Sequence, residues 1–265
     1  MSLNESINLT DKVVLVTRPQ HQSAEFISLI EQGGGRALPF PSIEIEPVAL
    51  DDELTALLTE INSYDMLIFI SANAVTFAVS LLRKLNIQAA DIKCDIAVIG
   101  KATCGVAKSA GFNVSIRPEN GFNSKALLTL ASLQKEQIQQ RKVLIVRGSG
   151  GLDELADTLT DRNALVTYAE VYRRRAPEQD IELKRESLSQ NWGTYSISDI
   201  TVTSNESLQN LYDMVGEPGK AKMLNVHLIV PSQRCVNLAK DLGFKSISLA
   251  QSATNQHMLE ALGDK

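Results

Sequence analysis

Short apolar runs rich in β-branched residues alternate with amphipathic stretches along the whole chain. Residues 13–17 (VVLVT) predict a buried strand, and Phe26, Ile27, Leu29 and Ile30 form the stripe of the helix that follows. The run Gly33-Gly34-Gly35 ends that helix. Leu54, Leu57, Leu58 and Ile61 mark a second helix. Residues 66–70 predict a strand, and Ser71-Ala72-Asn73 opens a helix through Leu85. A strand at 96–99, a turn at Gly100, a helix at 101–110, a strand at 114–116 and a helix at 124–133 complete a first series. The strand beginning at Lys142 starts a second.

Continuous apolar strands joined by helices point to parallel sheets covered on both faces. The fold class expected is α/β: two similar domains, each a parallel sheet flanked by helices, joined by a two-stranded antiparallel linker. Two extended pieces carry the linker reading. One is residues 37–47 (ALPFPSIEIEP), the other residues 164–177 (ALVTYAEVYRRRAP). Each follows a helical stretch and ends at a proline.

The chain also repeats itself. VVLVTRP at 13–19 resembles KVLIVRG at 142–148, FISANAV at 69–75 resembles VTSNESL at 202–208, and AKSAGF at 107–112 resembles AKDLGF at 239–244. Arg18 answers Arg147, Ser71 answers Ser204 and Gly111 answers Gly243, at offsets of 129 to 133 positions. Three matches in one order argue for duplication. The polar run 134–142 (QKEQIQQRK) joins the copies and is expected to be a surface loop. If the chain crosses once in each copy, the first domain is discontinuous. The expected boundaries are 1–38 with 177–265, then 48–168, with linker strands at 39–47 and 169–176.

Composition narrows the function classes. The 265 residues include 44% hydrophobic and 22% charged positions, and the net charge of −5 argues against a nucleic-acid partner. Cys94, Cys104 and Cys235 are too few and too scattered for a disulfide framework, and no His/Cys spacing suits a metal. The start of the chain does not read as a signal peptide, and no apolar run is long enough for a membrane span. A cytoplasmic monomer without membrane or nucleic-acid partners is the expectation.

Ligands of a parallel sheet bind beyond the carboxyl ends of its strands, where helix N-termini present free N–H groups. The candidate loops carry Arg18, then Ser71, Ala72 and Asn73, then Lys101 and Thr103, then Arg147 and Gly148, then Ser204 and Asn205, and finally Ser232. Several helix starts together suit a ligand with many carboxylates. Ser71, Ser204 and Ser232 read equally well as simple N-caps, and Arg18 and Arg147 as partners of surface carboxylates. The fingerprints GxGxxG and GxxxxGK[ST] are absent, so a nucleotide site has little support. His21, His227 and His257 lack a catalytic neighbour in sequence and read as structural or exposed. One arginine of the run Arg173-Arg174-Arg175 is a candidate to attract an acidic ligand into the cleft. Tyr172 ends the second crossing, where a phenol facing that cleft could donate a proton or could simply pack as a hinge.

With these residues in place, the chain resembles the uroporphyrinogen-III synthase family from about Val13 to Leu262. The resemblance rests on VTRP at 16–19, FISANAV at 69–75, AVIGKAT at 97–103, GF at 111–112, VRGSGG at 146–151, EVYRR at 170–174 and TVTSNESL at 201–208. It implies cyclisation of hydroxymethylbilane, a linear acidic tetrapyrrole, into uroporphyrinogen III. Water is lost, the last pyrrole ring is inverted, and no cofactor or metal takes part. Tyr172 matches the family's important tyrosine. The family pattern Ile-Gly-x-x-Thr is replaced in the second copy by Val230-Pro231-Ser232-Gln233-Arg234-Cys235, and Leu152 stands where many relatives carry arginine. That altered loop keeps a second reading open, a non-catalytic tetrapyrrole or small-anion binding module on the same scaffold.

Overall fold

The computed structural model describes residues 7–121, 123–151, 153–177, 188, 192 and 194–263. Leu152 lies outside them. The chain divides into two compact units, residues 1–44 with 175–265, and residues 45–174.

The strands of the first unit are β1 (Val13–Val16), β2 (Arg36–Pro39), β9 (Asp199–Thr201), β10 (His227–Val230) and β11 (Ser246–Leu249). They form one sheet in the order β11-β10-β9-β1-β2, and all its pairings are parallel. The second sheet holds β3 (Glu44–Pro47), β4 (Met66–Phe69), β5 (Asp95–Val98), β6 (Val114–Ile116), β7 (Lys142–Gly148) and β8 (Leu165–Arg175). Its order is β3-β8-β7-β4-β5-β6, and the pairings among β4 to β8 are parallel.

With β3 set aside, the two orders map onto each other strand by strand, β1 on β7 and β9 on β4. Each sequence copy thus contributes two strands to one sheet and three to the other, because β1 and β2 lie beside β9 while β7 and β8 lie beside β4. Both faces of each sheet are covered. Leu67, Phe69, Leu144 and Val146 pack with the helix Ala72–Lys84 on one face of the second sheet. Met66, Ile68, Val143 and Ile145 pack on its other face. Near-complete burial on both faces accounts for the unbroken apolar strands in the sequence.

β3 and β8 run antiparallel. Glu44 pairs with Arg175 at 3.3 Å, Glu46 with Arg173 at 3.3 Å, and the Val48 N–H donates to the Val171 carbonyl at 3.3 Å, so one position falls as the other rises. The division between units falls within these two strands. The extended piece expected over residues 37–47 is in fact two strands in two sheets. The break at 40–43 is pinned inside the first unit, where the Ser42 hydroxyl bonds Ser207 Oγ at 2.8 Å and the Asn210 amide donates to the Ser42 carbonyl at 2.9 Å. Proline at 39 and 41 removes the donors a continuous strand would need. The expected surface loop at 134–142 holds a short helix, Lys135–Ile138, because Ile138 is fully buried and Gln134 donates to the carbonyls of Leu128 and Leu130. The helix expected over 124–133 closes at Leu128 and resumes as a 3₁₀ turn.

At the amino ends of the first unit's strands lies a buried polar network. The Asp199 carboxylate sits 2.7 Å from His227 Nδ1, accepts from Ser198 Oγ at 2.7 Å and lies 3.7 Å from Lys12 Nζ. His227 Nε2 meets Ser248 Oγ at 2.8 Å. Burial pushes the Asp199 pKa up, but these hydrogen bonds and the lysine charge together bring it below the ordinary aspartate value. A depressed native pKa means stability that is present above the unfolded value, about 3.9, and is lost as pH falls through the native one. Asp199→Asn is therefore expected to cost about 1–3 kcal/mol at pH 7 and to flatten the acid limb below about pH 4. Urea denaturation repeated from neutral to acid pH reads both effects.

Candidate functional site

The site is built at the carboxyl end of the second sheet, around Tyr172. Up to Arg147 and Glu170, β7 and β8 pair residue for residue; Gly148 then faces Tyr172, and Val171 is the extra residue of a bulge. A bulge re-aims the side chains beyond it. Tyr168 packs on one face of the sheet, whereas Ala169, Val171 and Tyr172 all join the core on the other. Without the extra residue, the alternation of a strand would send Tyr172 to the side of Tyr168 and Glu170.

Three contacts then fix the phenol. Its ring stacks on Phe77 with centroids 5.5 Å apart and planes at 27°. It lies flat over Gly148, where a Cβ would stand 2.5 Å from Cε2 and Cζ, so only glycine leaves room. Its hydroxyl lies 3.2 Å from Ser71 Oγ. Ser71 also caps the helix Ala72–Lys84 by accepting the Ala74 N–H at 3.0 Å. The cap and functional readings of Ser71 thus coexist in one hydroxyl. The side chain of Tyr172 is deeply buried, with 2% of its surface exposed, and Ser71 is half-buried. Arg174 lies near the ring, its guanidinium carbon 5.9 Å from the centroid.

Arg147 is differently placed from what a free anion-binding residue requires. It is 3% exposed, donates to Asp153 Oδ1 at 2.8 Å, lies 3.8 Å from Glu170 and sits 4.4 Å over the Tyr168 ring. Two carboxylates therefore balance its charge within the fold. Hydrogen bonds from Arg147 and Tyr168 hold the Asp153 carboxyl below its usual pKa, and burial followed by the Asp153 contact raises that of Tyr168. The glycine-rich loop serves this packing: a Cβ at Gly151 would stand 2.7 Å from an Arg147 nitrogen. A cavity of about 360 Å³ beside the loop is lined by Asp51, Glu53, Ser149, Tyr168 and Glu170. Its sign is wrong for a polycarboxylate.

The loop after β5 is better suited to one. Gly100 caps the helix Lys101–Ser109 without any side-chain bond. Lys101 is exposed, and the buried Thr103 has a hydroxyl without a hydrogen-bond partner among the described residues. The backbone N–H groups of that first turn are open to an anion. Its counterpart after β10 is closed. Ser232 Oγ accepts the Cys235 N–H at 3.3 Å, and Cys235 is fully buried, its thiol pushed up to about 11 by burial. The expected threonine position has become core packing.

In the first unit, Ser204 caps its helix by accepting the Ser207 N–H at 3.0 Å, and Asn205 donates to the Arg234 carbonyl at 3.5 Å. Arg18 donates to the Ala253 carbonyl at 2.9 Å, lies 4.7 Å over the Phe26 ring, and keeps a buried Nε without a partner. Burial, partly countered by Glu25, lowers its pKa below the usual arginine value. The sequence reading missed Phe77 and the hydroxyl trio of Thr17, Ser42 and Ser207, bonded at 2.8–2.9 Å beneath the Arg18 loop. Their residue types carry no signal; only the sheet order brings them together. Arg173 and Arg175 of the arginine run are engaged by Glu46 and Glu44. Among the described residues no group of three or more His, Cys, Asp or Glu is placed to hold a metal, and no helix is long and apolar enough to cross a membrane.

Residues 24–260 match the family described as Uroporphyrinogen-III synthase HemD. The chain is 32% identical over 250 residues to the uroporphyrinogen-III synthase of Escherichia coli K12, spanning 94% of this chain and 99% of that one. It is 32% identical over 255 residues to the Salmonella typhimurium enzyme of the same name, with the same coverage. Among solved structures, a mutant uroporphyrinogen III synthase from the extremely thermophilic bacterium Thermus thermophilus superposes with a TM-score of 0.61 at 16% identity, covering 96% of this chain and 100% of that one. The uroporphyrinogen-III synthetase of Helicobacter pylori 26695 gives 0.61 at 15% identity, covering 94% and 97%. At those identities the structural matches speak for the fold.

Proposed function

The chain belongs to the uroporphyrinogen-III synthase family, and from that premise we propose that it closes hydroxymethylbilane into uroporphyrinogen III with loss of water and inversion of the last pyrrole ring. The observation that carries the chemistry is the phenol of Tyr172, held against Ser71 at the carboxyl end of the second sheet. Loss of hydroxide from the terminal hydroxymethyl group leaves an azafulvenium cation. An acid must meet the departing oxygen, and a phenol is protonated at neutral pH. Ring inversion requires the cation to be attacked through the substituted carbon of the last pyrrole, giving a spiro intermediate. The protein's part is to hold the reacting ends at that geometry instead of head to tail.

The substrate's carboxylates supply the grip. The open first turn at Lys101–Thr103 offers backbone N–H groups, a lysine charge and a spare hydroxyl. Ser71 and Gly148 lie against Tyr172, and Ala72 and Asn73 begin the helix that Ser71 caps. Arg147 shapes the Tyr172 strand through its internal ion pairs. The enzyme is assigned to the cytoplasm, a reducing compartment in which its three free cysteines stay thiols.

Supplied with hydroxymethylbilane, the protein is expected to yield the type III isomer in large excess over type I. The two are separated after oxidation to the porphyrins. Type I at the spontaneous rate, with no type III, would favour the non-catalytic binding module.

A further inference from the structure

Tyr172 is too deeply packed to meet a substrate along most of its surface. Its ring is closed in by Phe77, Gly148 and Arg174, and the group 3.2 Å from its hydroxyl is Ser71 Oγ. Ser71 is the half-buried member of the pair and stands in the loop that follows β4. A serine hydroxyl has one proton to give and two lone pairs to receive. One lone pair is taken by the Ala74 N–H. The other is available to the Tyr172 O–H, which leaves the serine proton directed away from the phenol.

Resting on the cyclisation reading above, we infer that Ser71 is the residue that hands the proton to the leaving hydroxyl, with Tyr172 resupplying it from behind. As the C–O bond of the hydroxymethyl group breaks, its electron pair stays on oxygen, which takes the Ser71 proton and departs as water. The pyrrole nitrogen lone pair fills the vacated carbon to form the azafulvenium. Ser71 takes the Tyr172 proton in the same motion, so the negative charge ends on the phenolate. The proton released when the final ring system regains aromaticity returns to the phenolate, and the sum is substrate to product plus water. The Ala74 N–H, at the positive end of a helix, polarises the Ser71 hydroxyl toward donation. A serine alone is too weak an acid for this step, and the phenol alone is walled off. The pair solves both problems.

The relay separates from a capping role by choice of substitution. Ser71→Asn keeps a good cap but has no hydroxyl, whereas Ser71→Thr keeps both. Type III formation is expected to stay within about 3-fold of wild type in Ser71→Thr, since the transferable proton is kept. In Ser71→Asn it should fall by about 100-fold or more, the scale of a lost acid, with an unchanged melting temperature. Combining Ser71→Asn with Tyr172→Phe should add little to either alone, because both break one chain. The wild-type rate in mixed H₂O and D₂O should curve with deuterium fraction, as two protons in flight require. Near-normal turnover by Ser71→Asn beside a crippled Tyr172→Phe, or a straight isotope plot, would overturn the relay and leave Tyr172 as the direct acid. Failure of the wild-type protein to form type III would overturn the cyclisation reading itself.

Discussion

Tyr172→Phe is expected to lower the turnover number for type III formation by about 10²–10⁴-fold, the contribution typical of a positioned general acid. The substitution removes one hydroxyl from a ring otherwise held by Phe77 and Gly148, contacts that phenylalanine keeps. Its effect on stability should stay near the net value of one hydrogen bond, about 1 kcal/mol. The loss should fall on kcat rather than KM, since the phenol supplies the proton for the leaving group through Ser71 and does not touch the carboxylates that set binding. Steady-state kinetics on hydroxymethylbilane, with a thermal melt beside them, test this. Unchanged kcat in a folded variant would remove Tyr172 from the acid role.

Gly148→Ala is expected to do damage of a different kind. The new methyl would stand 2.5 Å from two ring carbons of Tyr172, well inside contact distance, and the tyrosine is locked from the other side by Phe77. Something must give. Over-packing of this sort costs about 1–3 kcal/mol. A phenol displaced by about 1 Å loses its aim, for which a fall of about 100-fold is the right scale. Denaturant unfolding reads the first effect and kcat the second. Gly148→Ala paired with Phe77→Leu should recover stability before it recovers rate, because space alone does not restore the hydrogen bond to Ser71.

How much of this could be read from the chain depends on which signal each part leaves. The strands of both sheets announce themselves as unbroken apolar runs, such as Val143 to Val146, because burial on two faces demands it. The interleaving of the copies follows from three short repeats at nearly constant offset. Ser71, Ser204 and Ser232 were legible as caps, and each accepts the N–H three residues on. The pairing of Arg147 with carboxylates was legible as an alternative, but its partner Glu170 was not: that residue arrives from a neighbouring strand, and no local pattern predicts which carboxylate a sheet will bring alongside. The bulge at Val171 was equally hidden, since strand alternation in EVYRR gives no hint that Tyr172 and Val171 share one face. Nor could composition tell Thr103, whose hydroxyl is spare, from Cys235, which has become packing.

The sheet order of the first unit also bears on how the molecule is made. β1 lies between β2 and β9, so at synthesis its second neighbour is far off along the chain, and the whole of β4 to β8 leaves the ribosome first. The second unit can therefore close while β1 and β2 wait as a two-stranded fragment with a bare hydrogen-bonding edge. Such an edge invites pairing with other nascent chains. The edge of β1 is thus closed only once β9 has been made, late in the chain.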